Sequence, residues 1–243
     1  VRVLDLFSGI GGFSLGLERT GAFETVAFCE INPFSRRVLQ RHWPDVPILE
    51  DVTTAEFPEA DVITAGFPCQ DLSNAGMRAG LSGPRSGLWR EVVRAVRMVR
   101  PKHVMLENVA DLLGLGMGRV VGDLAKAGYD TEWNCIPACD AGAPHERDRI
   151  WIVADAEGIR RGEGWTWGLA DGLAGLPKPP CWDGQDPVAY FEEREGEPAL
   201  LGVDDAIPDW MDRVFALGNS LVPDIAEMIG RRIAAVDAER TAA

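Results

Sequence analysis

"VRVLDLFSGIGGFSLGLERTG", residues 1–21, runs an apolar stretch into a glycine-rich turn and then into a helical pattern. "VRVLDLF" reads as a buried strand, and "GGFSLGLERTG" as a helix that ends at Gly21. The glycines at 9, 11 and 12 let the chain turn sharply between them, so that backbone N–H groups at the helix start can approach a ligand closely. The spacing is not the G-x-G-x-x-G of dinucleotide sites. A second strand, "ETVAFCE", ends at Glu30, 21 residues after Gly9, where a carboxylate can hold ribose hydroxyls. Asp51 follows a third apolar run, "VPIL", and can accept from an adenine amine. Turn and two acids together suggest an adenosine-bearing ligand; ordinary strand-end turn residues are the competing reading.

The same alternation continues outward. Asn32 and Pro33 cap a helix "PFSRRVLQRHW", "ADVITAGF", "HVMLEN" and "RIWIVA" read as buried strands, and helices are expected around 87–100 and 117–127. Such alternation predicts an α/β fold: a Rossmann-like, doubly wound, mostly parallel sheet whose ligands lie beyond the carboxyl ends of its strands. After Ala154 the texture changes to glycine, proline and few periodic apolar positions, and "LPKPPCW" suits neither a helix nor a central strand. Residues 155–212 are therefore read as a small loop-rich insert, with 1–154 and 213–243 forming the main domain and a final helix reaching about Val236.

The 243 residues carry a formal charge of −14, which argues against casual nucleic-acid binding. The distribution is uneven. Residues 70–102 hold seven basic side chains against two acidic ones, a local +5, whereas 155–209 sum to −9. Five cysteines, no signal-like start and no apolar run near 18 residues predict a soluble, reduced, intracellular protein that is not in a membrane. Cys135, Cys139 and His145 match no common zinc spacing, so no metal is expected.

"GFPCQDLS" (66–73) places Cys69 directly after a strand and a proline, and Pro68 fixes its own φ while restricting Phe67. "LENV" brings Glu107 to another strand end, and "HERDRIWIV" supplies Arg147 and Arg149 just before a further strand. Each alone has a bland reading as core thiol, capping acid or surface base. Thiol, carboxyl and guanidinium converging beside a ligand-binding turn favour chemistry.

The order "DLFSGIGGF", Glu30, Asp51, "GFPCQDLS", "ENV", "HERDR" and "GNSLVP" closely resembles the DNA cytosine-5 methyltransferases, over about residues 1–154 and 213–236. The resemblance implies S-adenosyl-L-methionine as cofactor and double-stranded DNA as partner. The Cys69 thiolate would add to C6 of a flipped-out cytosine, making C5 reactive toward the methyl group, and a base would then remove the C5 proton as Cys69 leaves. Glu107 would hold or protonate N3, Arg147 would hold O2, and Arg149 would support the same edge. The implied cofactor pocket comprises Phe7, Gly9, Ile10, Gly11, Gly12, Glu30, Ile31, Asp51, Val52, Pro68, Leu88, Asn219 and Ser220. Gln70, Ser73, Arg78, Arg85 and Arg90 would contact the nucleotide or its phosphates, and Arg160, Arg161 and Lys178 of the insert would contact DNA. A cytoplasmic monomer from a bacterium or phage-infected cell is the expected setting.

His145 stands where the family commonly has Gln, and the insert is short and acidic for a target-recognition region. An RNA cytosine methyltransferase, a catalytically silent DNA- or cofactor-binding homologue and a small-molecule methyltransferase of the same fold are the alternatives. An intact Cys69, Glu107 and Arg147 weigh against silence, and Pro-Cys-Gln has no role in a small-molecule enzyme.

Overall fold

In the computed structural model, which describes residues 1–68, 87–141, 143, 147–156 and 220–242, the opening stretch forms strand β1 (Arg2–Leu6) and helix α1 (Gly12–Arg19). Strand β2 (Glu24–Cys29) and helix α2 (Pro33–His42) follow, and Asn32 caps α2 by accepting from the N–H groups of Phe34 and Ser35. The chain continues through β3 (Ile48–Leu49), β4 (Val62–Gly66), α3 (Leu88–Val99), β5 (His103–Val109), α4 (Leu112–Leu115) and α5 (Met117–Lys126). It then forms β6 (Asp130–Pro137), a 3₁₀ turn (Ala138–Ala141), β7 (Asp148–Asp155) and α6 (Pro223–Ala242).

The seven strands make one sheet in the order β3-β2-β1-β4-β5-β7-β6. β1 to β5 are mutually parallel, while β7 runs antiparallel to both β5 and β6. The expectation of a doubly wound, mostly parallel sheet holds, with two additions. β6 was not expected from the sequence, because "DTEWNCIP" is a half-exposed edge strand with one fully buried side chain, Ile136. The direction of β7 follows from its short link to β6, since a parallel return needs a crossover of roughly a dozen residues or more.

Strand alternation divides the core between the two faces. Leu4, Ile63, Leu106 and Ile152 pack with Trp89, Val92 and Val96 of α3. Val3, Val62, Met105 and Trp151 pack with Phe13 and Leu17 of α1 and with Ile229 and Ile233 of α6. Both faces are covered, which explains the near-continuous apolar runs of the central strands. α1 and α6 touch closely: a Cβ at Gly16 would lie 2.1 Å from the Pro223 carbonyl, and one at Gly230 would lie 2.6 Å from Leu17 Cδ2. α6 runs past Val236 because polar contacts hold its end. Asp237 Oδ1 lies 3.0 Å from buried His103 Nε2, and Arg240 pairs with buried Asp155 at 2.6 Å.

One buried acid joins three elements. Asp5 of β1 is fully buried and accepts from Thr64 Oγ1 of β4 at 2.7 Å and Ser14 Oγ of α1 at 3.0 Å. Burial outweighs those hydrogen bonds and raises its pKa to about 7. The folded chain therefore keeps a proton that the unfolded chain releases near pH 4, so stability falls as pH rises from about 4 to about 7 and is flat above. Asp5→Asn removes that titration. Urea unfolding across this window should show the wild type losing on the order of 2–4 kcal/mol relative to the variant; parallel curves for the two proteins would refute the assignment.

Candidate active site

The carboxyl ends of the five parallel strands form one rim. After β1, Phe7 adopts φ 54°, Gly9 φ 55° and Gly11 φ 88°, three left-handed residues in the space of five, which turn the backbone into α1. Such a conformation is costly for Phe7 and free for the glycines. At Gly11 the glycine is also needed for space, because a Cβ would lie 2.7 Å from the Trp43 ring. Trp43 is itself held by its indole N–H, which donates to Glu18 Oε2 at 2.8 Å, and by an edge-on contact with Phe28. Ser8 pins the turn to β2: its hydroxyl donates to the Asp5 carbonyl at 2.6 Å and accepts from the Cys29 N–H at 3.2 Å. Neither Ser8 nor Trp43 was singled out from the sequence.

Glu30, at the end of β2, is aimed by the backbone. Oε2 accepts from the Gly9 N–H and Oε1 from the Asn32 N–H, each at 2.7 Å. Burial raises its pKa, and these two N–H groups oppose the shift. Ile31 beside it is 70% exposed, an apolar face at the rim. Asp51 Oδ1 accepts from the backbone N–H and the hydroxyl of Thr53, both at 2.8 Å, which holds its pKa below the usual carboxylate value and leaves Oδ2 without a partner among the described residues. Val52 is buried.

Ile10 is half-buried in the turn, and Leu88 is half-buried at the start of α3. Leu221 packs on the turn, where a Cβ at Gly12 would lie 3.0 Å from its Cγ, so the segment that begins at Ser220 does return to this corner. The structure thus gathers turn, Glu30, Ile31 and the 220–222 segment at one corner of the rim, with Asp51 past the end of the neighbouring strand β3.

A second cluster lies on the same rim. Gly66 of β4 is in register with Glu107 of β5, and Val109 of β5 with Arg149 of β7. Because β7 is antiparallel, its first residues lie at the edge where β5 ends; a parallel β7 would have carried Arg147 and Arg149 to the far side. Arg149 Nε is 2.9 Å from Glu107 Oε1, an ion-pair contact. Glu107 is only 8% exposed; burial raises its pKa, and Arg149 and then Arg147 oppose that shift. The half-buried Arg147 has an Nε with no hydrogen-bond partner among the described residues. Asn108, which the sequence did not mark individually, donates from Nδ2 to the Phe67 carbonyl at 2.8 Å and so ties β5 to the chain just before Cys69. Phe67 is buried against Trp89, and Pro68 is exposed.

Cys69, Gln70, Ser73, Arg78, Arg85, His145, Arg160, Arg161, Lys178 and Asn219 lie outside the described residues. Arg90 is exposed on the first turn of α3. Among the described thiols, Cys29 is buried and its pKa is pushed up to about 12, and that of Cys135 is also raised, so neither is poised as a nucleophile.

Residues 1–165 match the family model for C-5 cytosine-specific DNA methylases. The chain is 37% identical over 163 residues to the type II methyltransferase M2.BsuMI of Bacillus subtilis, covering 63% of this chain and 42% of that protein. It is 32% identical over 173 residues to the type II methyltransferase M.SsoII of Shigella sonnei, covering 68% and 46%. The chain thus spans less than half the length of these two relatives. The fold resembles that of the S. pombe Dnmt2 methyltransferase with a TM-score of 0.58 at 20% identity, over 72% of this chain and 54% of that one.

Proposed function

The chain belongs to the C-5 cytosine-specific DNA methylase family, and on that premise we propose that it transfers a methyl group from S-adenosyl-L-methionine to C5 of a cytosine flipped out of double-stranded DNA. The observation that carries this reading is the Glu107–Arg149 ion pair, one strand from the segment that leads to Cys69 and two strands from the glycine turn.

The residues present fit the cofactor. Glu30 points a carboxylate already oriented by two backbone N–H groups, suited to a pair of ribose hydroxyls. The Oδ2 of Asp51, without a partner among the described residues, suits an amine, and exposed Ile31 offers a surface for an aromatic ring. Ser220 and Asn219 would face the amino-acid end. The cofactor supplies an electrophilic methyl group.

The remaining work falls to the chain's own side chains. Cys69 adds to C6 as thiolate, Glu107 holds N3, and Arg147, whose Nε has no hydrogen-bond partner among the described residues, holds O2. Arg149 keeps the Glu107 carboxyl in place. Gln70, Ser73, Arg78, Arg85 and Arg90 hold the nucleotide and its phosphates, and the insert at 155–212, with Arg160, Arg161 and Lys178, reads the target, while 1–154 and 213–243 form the main domain. The protein acts as a monomer in the cytoplasm of a bacterial or phage-infected cell.

Labelled methyl transfer to duplex DNA against tRNA tests the substrate class, and bisulfite sequencing of DNA from expressing cells reads activity and target together. Label on tRNA alone would refute the DNA assignment. The cofactor pocket has its own test: Glu30→Ala should weaken S-adenosylmethionine binding by roughly 1–3 kcal/mol, the cost of losing a hydrogen bond to a buried partner. Calorimetry showing unchanged affinity would move the pocket elsewhere.

A further inference from the structure

We propose that Arg94 of α3 is a positioning residue for the base-recognising end of the cofactor pocket, holding residues 51–57 so that Asp51 meets the exocyclic amine of adenine. The inference rests on the S-adenosylmethionine reading above. Its basis is that residues 51–58 belong to no strand or helix, yet they carry Asp51 and buried Val52. Their backbone bonds turn inward, from the N–H groups of Thr54 and Ala55 to the Asp51 carbonyl.

Among the described residues, one hydrogen bond ties this segment to another element: Arg94 Nη2 donates to the Val52 carbonyl at 2.5 Å. The same guanidinium lies 4.9 Å from the centre of the Phe57 ring, so one planar group grips both ends of the segment. Its Nε donates to Glu91 Oε2 at 2.6 Å, which sets the direction of the fork from within α3. Arg94 is thus fixed on one side by its own helix and on the other holds the peptide next to Asp51. A lysine could keep the charge but not the fork and the stacking together.

α3 begins at Leu88, shortly after the stretch that contains Cys69 in the sequence. The helix that follows the nucleophile segment therefore also fixes the adenine acid. Loss of this grip leaves Glu30 and the glycine turn, which contact β1 and β2, in place.

The test is binding to the full chain, measured by calorimetry, of S-adenosylhomocysteine and of its counterpart with inosine in place of adenosine. The wild type should prefer the adenine compound by about tenfold or more, since a site built to accept from an amine rejects an oxo group. Arg94→Ala and Arg94→Lys should bind the adenine compound about five- to tenfold more weakly while the inosine compound changes by less than about twofold, so selectivity collapses. Arg97→Ala, exposed on the same helix, should behave as wild type. Equal weakening of both compounds in the Arg94 variants, or the same loss of selectivity in Arg97→Ala, would overturn the proposal and reduce Arg94 to a stabilising or general charge effect. If Arg94→Ala does not fold, Arg94→Lys decides. A wild type that binds neither compound would refute the cofactor reading itself and this inference with it.

Discussion

Cys69→Ser should lower methyl transfer to duplex DNA on the order of 10⁴-fold or more, while S-adenosylmethionine binding stays near wild type. The size of the effect follows from the chemistry. C5 of cytosine is too poor a nucleophile to take a methyl group unless a thiolate has first added at C6, and a serine hydroxyl ionises far too weakly to replace it. The wild type should also form a denaturant-resistant complex with a duplex carrying 5-fluorocytosine at the target. Fluorine occupies the position from which the proton must leave, so Cys69 cannot be eliminated after transfer. Cys69→Ser should form no such complex. No adduct with wild-type protein, on a duplex it methylates when unfluorinated, would rule out the covalent route.

Among the described thiols, Cys29 and Cys135 do not offer a substitute path. Cys29 sits in the core with its pKa pushed up to about 12, and the Cys135 thiol is raised as well. The residues before Cys69 are anchored instead: Phe67 is packed against Trp89 and its carbonyl is held by Asn108. Asn108 was hidden from sequence reading because its partner is a backbone carbonyl 41 residues away, which no local pattern reports.

Legibility in the sequence followed the range of the forces involved. The β1 turn, the Asn32 cap and the apolar central strands rest on local chemistry and buried runs, and these emerged as expected. β6 did not, because its place at the sheet edge is set by pairing with β7 and little by its own burial. Nor does a strand sequence state its direction, yet the direction of β7 decides whether Arg149 reaches Glu107. Arg94 is the clearest case. On an amphipathic helix an arginine reads as a solvated charge, and its grip on Val52 and Phe57 depends on a loop whose course the sequence does not give. The acid and base motifs themselves were legible in type, and their roles came from the family resemblance.

Glu107→Gln carries the second large expectation, a fall in kcat of roughly 10²–10⁴-fold with DNA and cofactor binding largely kept. Glu107 is 8% exposed, so its charged form is poorly solvated and its pKa is raised, even against the nearby guanidinium groups. A carboxyl whose pKa is raised holds its proton to higher pH than an exposed one and can give it to N3 as the thiolate adds, whereas a glutamine amide can donate a hydrogen bond there but cannot transfer the proton. The pH dependence separates these roles from simple packing. In the wild type kcat should fall as pH rises through the raised Glu107 pKa, and that limb should vanish in Glu107→Gln. Arg149→Gln removes the stronger of the two influences that oppose the raised pKa, so the surviving activity should keep its limb and shift it to higher pH. A Glu107→Gln enzyme within about threefold of wild-type kcat, or a limb that moves to lower pH in Arg149→Gln, would show that this buried acid does not supply the proton at N3.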